Sequence, residues 1–200
     1  MALDTPENRE KLTKLFGKLN DDNFTIMSRL TPSYNCIAWA MGFDDRWVDY
    51  FPDNAVARKK WWPDGVDKDY RPETLVRAFE KMGFVKCDED TIEPDYDKVA
   101  LYKVSPLVDS STGMIIATEG WTHAAKVIGK NCYHSKMGGL FDIYHHAGNI
   151  FEGSSYGVVY QFMKRKKEDR IITENVKKSV PGIVIPDNIL NIINQMMSKT

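Results

Sequence analysis

Two hundred residues, 42% of them apolar, are enough to bury a sizeable core as one domain or as one domain with an extension. A net charge of −1 provides no broad basic field for nucleic acid, and no apolar run approaches the roughly 18–20 residues that span a bilayer. Three cysteines (Cys36, Cys87 and Cys132) are an odd number without tight spacing, so no disulfide framework is expected. The charged opening, Met1 to Asn20, lacks the apolar centre of a secretory signal. A reducing, cytoplasmic setting is therefore expected, with export by a route that needs no cleaved signal left open.

In chain order, residues 6–19 read as an amphipathic helix opening on Pro6, with Leu12, Leu15, Phe16 and Leu19 apolar. A short second helix over Ile37 to Met41 follows the stop and cap offered by Pro32 and Ser33, and Gly42 can close it. Residues 43–72, aromatic and charged, read as a long loop. A third helix spans 73–82 and stops at Gly83. Sheet dominates afterwards, with strands expected at Val99 to Val104, Met114 to Thr118, His123 to Ile128, Cys132 to Lys136, Leu140 to His145 and Tyr156 to Met163. The charge run Lys164 to Arg170 reads as a solvated face or linker. Residues 187–198 read as a short amphipathic helix capped by Asp187, docked on its own core or offered to a partner protein. The expected division is an N-terminal helix (1–24), a main domain (25–165) and a C-terminal extension (166–200).

Chemistry centres on Cys36 and on His123, 87 residues later. A thiol becomes a nucleophile only as a thiolate, which a helix N-terminus and a neighbouring imidazole both favour. Cys36 falls in the first turn of its helix, where unpaired amides face outward. His123 heads a buried strand and can take the thiol proton, giving an ion pair near neutral pH. The Cys36 N–H can donate to a developing oxyanion, with Asn35 a candidate second donor. Trp61, Trp62 and Pro63 make a rigid apolar wall that suits either a cleft or a lid. Lys136, after Ser135, reads either as a contact for an anionic group or simply as an exposed hairpin lysine.

The segments Tyr34-Asn35-Cys36-Ile37-Ala38-Trp39-Ala40, Trp61-Trp62-Pro63, His123-Ala124-Ala125, Ser135-Lys136-Met137-Gly138 and Tyr156-Gly157 together resemble a bacterial family of standalone, uncharacterised domains, over roughly residues 25–165. The order of a helix-borne Cys, a helix, and a strand meander opened by His also resembles small papain-like cysteine hydrolases of the NlpC type. That resemblance implies an α+β papain-like fold with N-terminal helices and an antiparallel sheet. It implies a peptidase, amidase or deamidase acting on an amide bond of a peptide, protein or other amide-containing substrate. Bacterial effector toxins share such architecture. It also implies a polar third residue about a dozen positions after the histidine, which lands on His134 or Ser135. Asp142 is preferred here, because a carboxylate stabilises an imidazolium better than a hydroxyl does.

Catalytic Cys36, His123 and Asp142 are thus expected, with Asn35, Trp61, Trp62, Ser135 and Lys136 at the substrate, and with no cofactor, metal, nucleic acid or membrane. Two other readings stand beside this one. A non-catalytic binding domain on the same scaffold would keep Cys36 and His123 as core residues. A metal site could use Cys132, His134 and one of His145 or His146, although these spacings are not those of structural zinc sites.

Overall fold

Thr5 starts the first element: its side chain accepts from the Asn8 N–H, and Pro6 takes the first helical position. Helix α1 then runs Pro6–Leu15 in the computed structural model, which describes residues 3–50, 60–108 and 110–169. The expected helix over 187–198 lies outside the described residues. Strand β1 (Phe24–Ile26) precedes α2 (Cys36–Met41), and a parallel pair, β2 (Trp47–Val48) and β3 (Lys60–Trp61), interrupts what reads in sequence as loop. After α3 (Pro72–Glu80) come β4 (Val85–Cys87), β5 (Tyr96–Val104), β6 (Leu107–Val108), β7 (Ile115–Ala117), β8 (Gly120–Gly129), β9 (Cys132–Lys136), β10 (Asp142–His146) and β11 (Val158–Lys166). The fold is α+β. Seven strands form one antiparallel sheet in the order β1-β10-β9-β8-β5-β11-β4, while β6 and β7 pair apart from it.

The sheet is covered on both faces, and strand alternation sorts its side chains between two cores. Leu101, Val99, Ala124 and Met163 meet α2 and α3 on one side. Ala100, Tyr102, Ala125, Val127 and Ile143 meet Leu12, Phe16 and Phe151 on the other. Of the charge run expected as a solvated face or linker, residues 164–166 end β11 and Lys167–Asp169 form a short 3-10 turn; residues 166–169 are exposed, and Arg165 is the exception. Arg165 is buried there because its guanidinium donates to the Met82 carbonyl and lies over the Phe84 ring. No helix among the described residues is long and apolar enough to cross a membrane.

Helix α2 is closed by Gly42 at φ 102, where a residue with a Cβ would be strained. Its N-cap is Asn35, one residue before the thiol, rather than Ser33. The Asn35 Oδ1 accepts from Ala38 N and Val48 N, and its Nδ2 donates to the Val48 carbonyl. One side chain therefore caps the helix and fastens β2 to it. Asn35→Ala is expected to cost about 2 kcal/mol, combining a lost cap with buried partners left unpaired. Urea denaturation checks this, and a loss below about 0.5 kcal/mol would show that water replaces the amide.

A candidate thiol and imidazole site

Capping by Asn35 makes Cys36 the first helical residue, buried against the sheet. Burial pushes its thiol up to about 11, while the backbone amides of Ala124, Ile37 and Cys36 itself and the charge on Lys136 pull the other way. The thiol thus lies beside Ala124, the residue after His123. His123 belongs to the opposite core: it pairs with Tyr102, and its ring packs on Tyr102, Phe151 and Tyr156. The expected thiolate–imidazolium pair is therefore not formed in this structure. Burial and the neighbouring His145 hold the His123 imidazole well below its usual pKa, so both groups are neutral at neutral pH. Tyr156 stacks on His123 at 4.1 Å, and burial raises its hydroxyl pKa, with charge on Cys36 adding to it.

The nitrogens of His123 are used unequally. Nε2 lies 3.0 Å from Ser135 Oγ, which lies 2.8 Å from His145 Nε2, whereas His123 Nδ1 has no hydrogen-bond partner. Strand register makes this chain. Ser135 faces Ala125 across β8 and Ile143 across β10, so His123, Ser135 and His145 project from the same face. The position beside the imidazole goes to Ser135, not to the preferred Asp142. Asp142 faces the α2 side, where its carboxylate accepts from the Tyr34 hydroxyl at 2.9 Å. Burial raises its pKa, opposed by the Tyr34 bond and the charge on Lys136.

Three of the expected substrate contacts are internal. Asn35 is the cap already described, and Ser135 is fully buried. Lys136 is not on an exposed hairpin: it is fully buried, donates to the carbonyls of Thr31 and Leu140, and lies over the Tyr34 ring. Burial pulls its ammonium down to about 8. Trp61 and Trp62 do line a cleft, of about 400 Å³, together with Tyr50, Pro63 and Lys68. Trp62 stacks on Trp121, and its Nε1 donates to the carbonyls of Val66 and Asp67. Neither Cys36 nor His123 lines that cleft.

His134 faces Lys126 and Tyr144 on the α2 side, edge-on to Trp39. Among the described residues no group of three or more His, Cys, Asp or Glu side chains is placed to hold a metal ion. His145 and Tyr156 are the site residues that sequence reasoning did not assign. The hairpin between β9 and β10 was the signal for His145, since it sets Ser135 and His145 on one face; Tyr156 stood out only within the motif Tyr156-Gly157.

A family model described as Domain of unknown function (DUF7689) matches residues 25–164. No curated protein and no solved structure matches the chain.

Proposed function

The chain belongs to the family described as Domain of unknown function (DUF7689), and on the geometry of its own residues we propose that it is a thiol-dependent hydrolase or transferase acting at an amide bond, papain-like in arrangement. The observation that carries this reading is the unequal use of His123: Nε2 is held by Ser135 while Nδ1 is left without a partner, next to the residue whose amide faces the Cys36 thiol. Cys36 is the nucleophile. Reaction requires a rearrangement that brings the Cys36 thiol, held here in the opposite core, within reach of His123 Nδ1. As the sulfur bonds to the amide carbon, its proton then passes to that nitrogen. The oxyanion takes hydrogen bonds from the backbone amides that surround the sulfur. The C–N bond then breaks, the imidazolium returns its proton to the departing amine, and water or another acceptor resolves the thioester. Because the resting pair is neutral, deprotonation accompanies attack rather than preceding it.

A second reading is favoured by the burial of Cys36 and the absence of a bond to His123. In it the domain is a non-catalytic binding module, and the aromatic cleft beside Trp61 and Trp62 is its recognition surface. Alkylation of Cys36 by iodoacetamide at pH 7.5, followed by mass spectrometry, separates the two. A thiol that ionises at about 11 is thiolate in roughly one molecule in 3,000 at that pH. With His123 as base, Cys36 is expected to react at least about tenfold faster than that fraction permits, and to lose this advantage in His123→Ala. A rate that follows the thiol titration alone and ignores His123 overturns the hydrolase reading and leaves the binding module.

A further inference from the structure

The cleft beside Trp61 and Trp62 encloses about 400 Å³, within the range of about 300–1,000 Å³ common to small-molecule sites. Its two tryptophans are used differently. The Trp62 N–H donates to the carbonyls of Val66 and Asp67, and its ring stacks on Trp121. These bonds fasten the loop 63–68 against the indole, and the Val66 N–H closes a turn onto the Pro63 carbonyl. The wall is therefore built before a ligand arrives. Trp61 is half-buried, in edge contact with Phe43, and its indole N–H has no partner among the described residues.

Four charged side chains line the cleft, two acidic and two basic, so their charges cancel. Lys60 lies 3.9 Å from Asp49. Asp64 and Lys68 are exposed on the fastened loop and have no ion pair or hydrogen bond among the described residues. The cleft thus offers aromatic walls, an indole donor, a carboxylate acceptor and an ammonium donor. A phosphate or an acidic peptide needs clustered cations, and a quaternary ammonium needs negative charge in excess around the rings. Cancelled charge supplies neither. A zwitterion meets both ions but gains little, because each ion pair this exposed changes affinity by less than about fivefold, while two full charges lose hydration. A neutral polyhydroxyl ring avoids that loss. Its hydroxyls donate to Asp64 and accept from Lys68 and the Trp61 N–H, and its C–H face meets the negative face of an indole.

We propose that this cleft binds an uncharged pyranose saccharide, seated on the wall of Trp61 and Trp62 and held by Asp64, Lys68 and the Trp61 N–H. This ligand class deepens the binding-module reading; it rests on that reading for the purpose of the cleft, and not on the thiol.

The test uses the full chain labelled with ¹⁵N-tryptophan, whose five indole N–H signals are assigned by single replacements. Cellotetraose, chitotetraose, mannotetraose and maltotetraose are titrated in separately, with a proline-rich peptide as the rival occupant of an aromatic groove. At least one sugar is expected to bind with a Kd of about 0.1–3 mM. It should shift the Trp61 signal more than those of Trp62 and Trp121, whose N–H groups already hold backbone carbonyls. Asp64→Asn and Lys68→Met, both on exposed side chains, should each weaken that sugar about threefold or more. Trp61→Phe keeps a ring, removes the N–H and should do the same, read by saturation transfer to the sugar. No shift at Trp61 with any of the four sugars at about 10 mM overturns the proposal, as does binding that ignores all three replacements. A response to the peptide alone overturns the saccharide and leaves the binding module standing. Saccharide binding together with His123-dependent alkylation of Cys36 upholds the saccharide and sinks the binding-module reading alone.

Discussion

Acidification from pH 6.5 to about 4.5 is expected to unfold this domain, because three histidines are buried in neutral form. His123, His134 and His145 are almost fully excluded from solvent. Burial lowers His134 and His145 to about 3 and His123 well below its usual value. In the unfolded chain each takes a proton near pH 6.5. Below that pH the unfolded state binds protons that the folded state refuses, so stability falls as pH falls until the folded groups themselves titrate. Each histidine contributes about 1.4 kcal/mol per pH unit, or about 4 kcal/mol per unit for the three. With a stability of about 5–10 kcal/mol at neutral pH, the acid midpoint then lies between about pH 5 and 4. Asp142 opposes this, since its raised pKa lets the folded state take a proton first, but it is one group against three. Circular dichroism against pH should report an uptake of about three protons. His134→Phe, which removes a histidine outside the Ser135 chain, should reduce this to about two. A fold that persists to pH 3, or an unchanged slope in the variant, would mean that these imidazoles are charged or hydrated.

The same neutral histidines show what the sequence can and cannot reveal. Cys36 at a helix start was legible, because Ile37 to Met41 is a continuous apolar run closed by Gly42. The true cap was harder to choose: Ser33 and Asn35 are both capping residues, and the hold of Asn35 on Val48 is a tertiary contact. The long strands β5, β8, β9 and β11 were read, but β1, β4 and β6 have only two or three residues and owe their existence to their neighbours. Within the charge run, charge misled the reading at Arg165, since its partners lie about 80 residues upstream around Met82 and Phe84. The choice between Ser135 and Asp142 depended on parity. A strand sends alternate residues to opposite faces, so a shift of one residue in the β9–β10 turn would turn Asp142 to the face that carries His123 and Ser135. The turn from Met137 to Phe141 does not declare its register by composition. The pairing of Ala125 with Ser135 places Ser135 with His123, and that of Asp142 with Lys136 places Asp142 on the side of Tyr34.

Lys136→Met is expected to destabilise the domain by about 3–5 kcal/mol, because it removes one charge from a buried set that keeps the other. Lys136 and Asp142 are directly opposed across β9 and β10, both buried on the α2 side. The ammonium donates to the carbonyls of Thr31 and Leu140, tying the entry to α2 to the β9–β10 turn. Methionine fills the same space but leaves those carbonyls unmet and the Asp142 carboxylate without its counter-charge. Asp142→Asn should cost less, about 1–3 kcal/mol, since an amide oxygen can still accept from Tyr34. The double variant is expected to cost at least about 1 kcal/mol less than the two single losses together, because the second substitution removes the charge stranded by the first. Chemical denaturation of the four proteins gives the coupling, and strict additivity would mean that the two charges are separately solvated. Lys136 also bears on the thiol: its charge favours the Cys36 thiolate, so neutralising it moves the thiol pKa further upward. Cys36 alkylation should therefore slow in Lys136→Met under conditions where the variant remains folded. A buried lysine that opposes a carboxylate, braces the helix entry and biases the thiol links stability and chemistry at one position of β9.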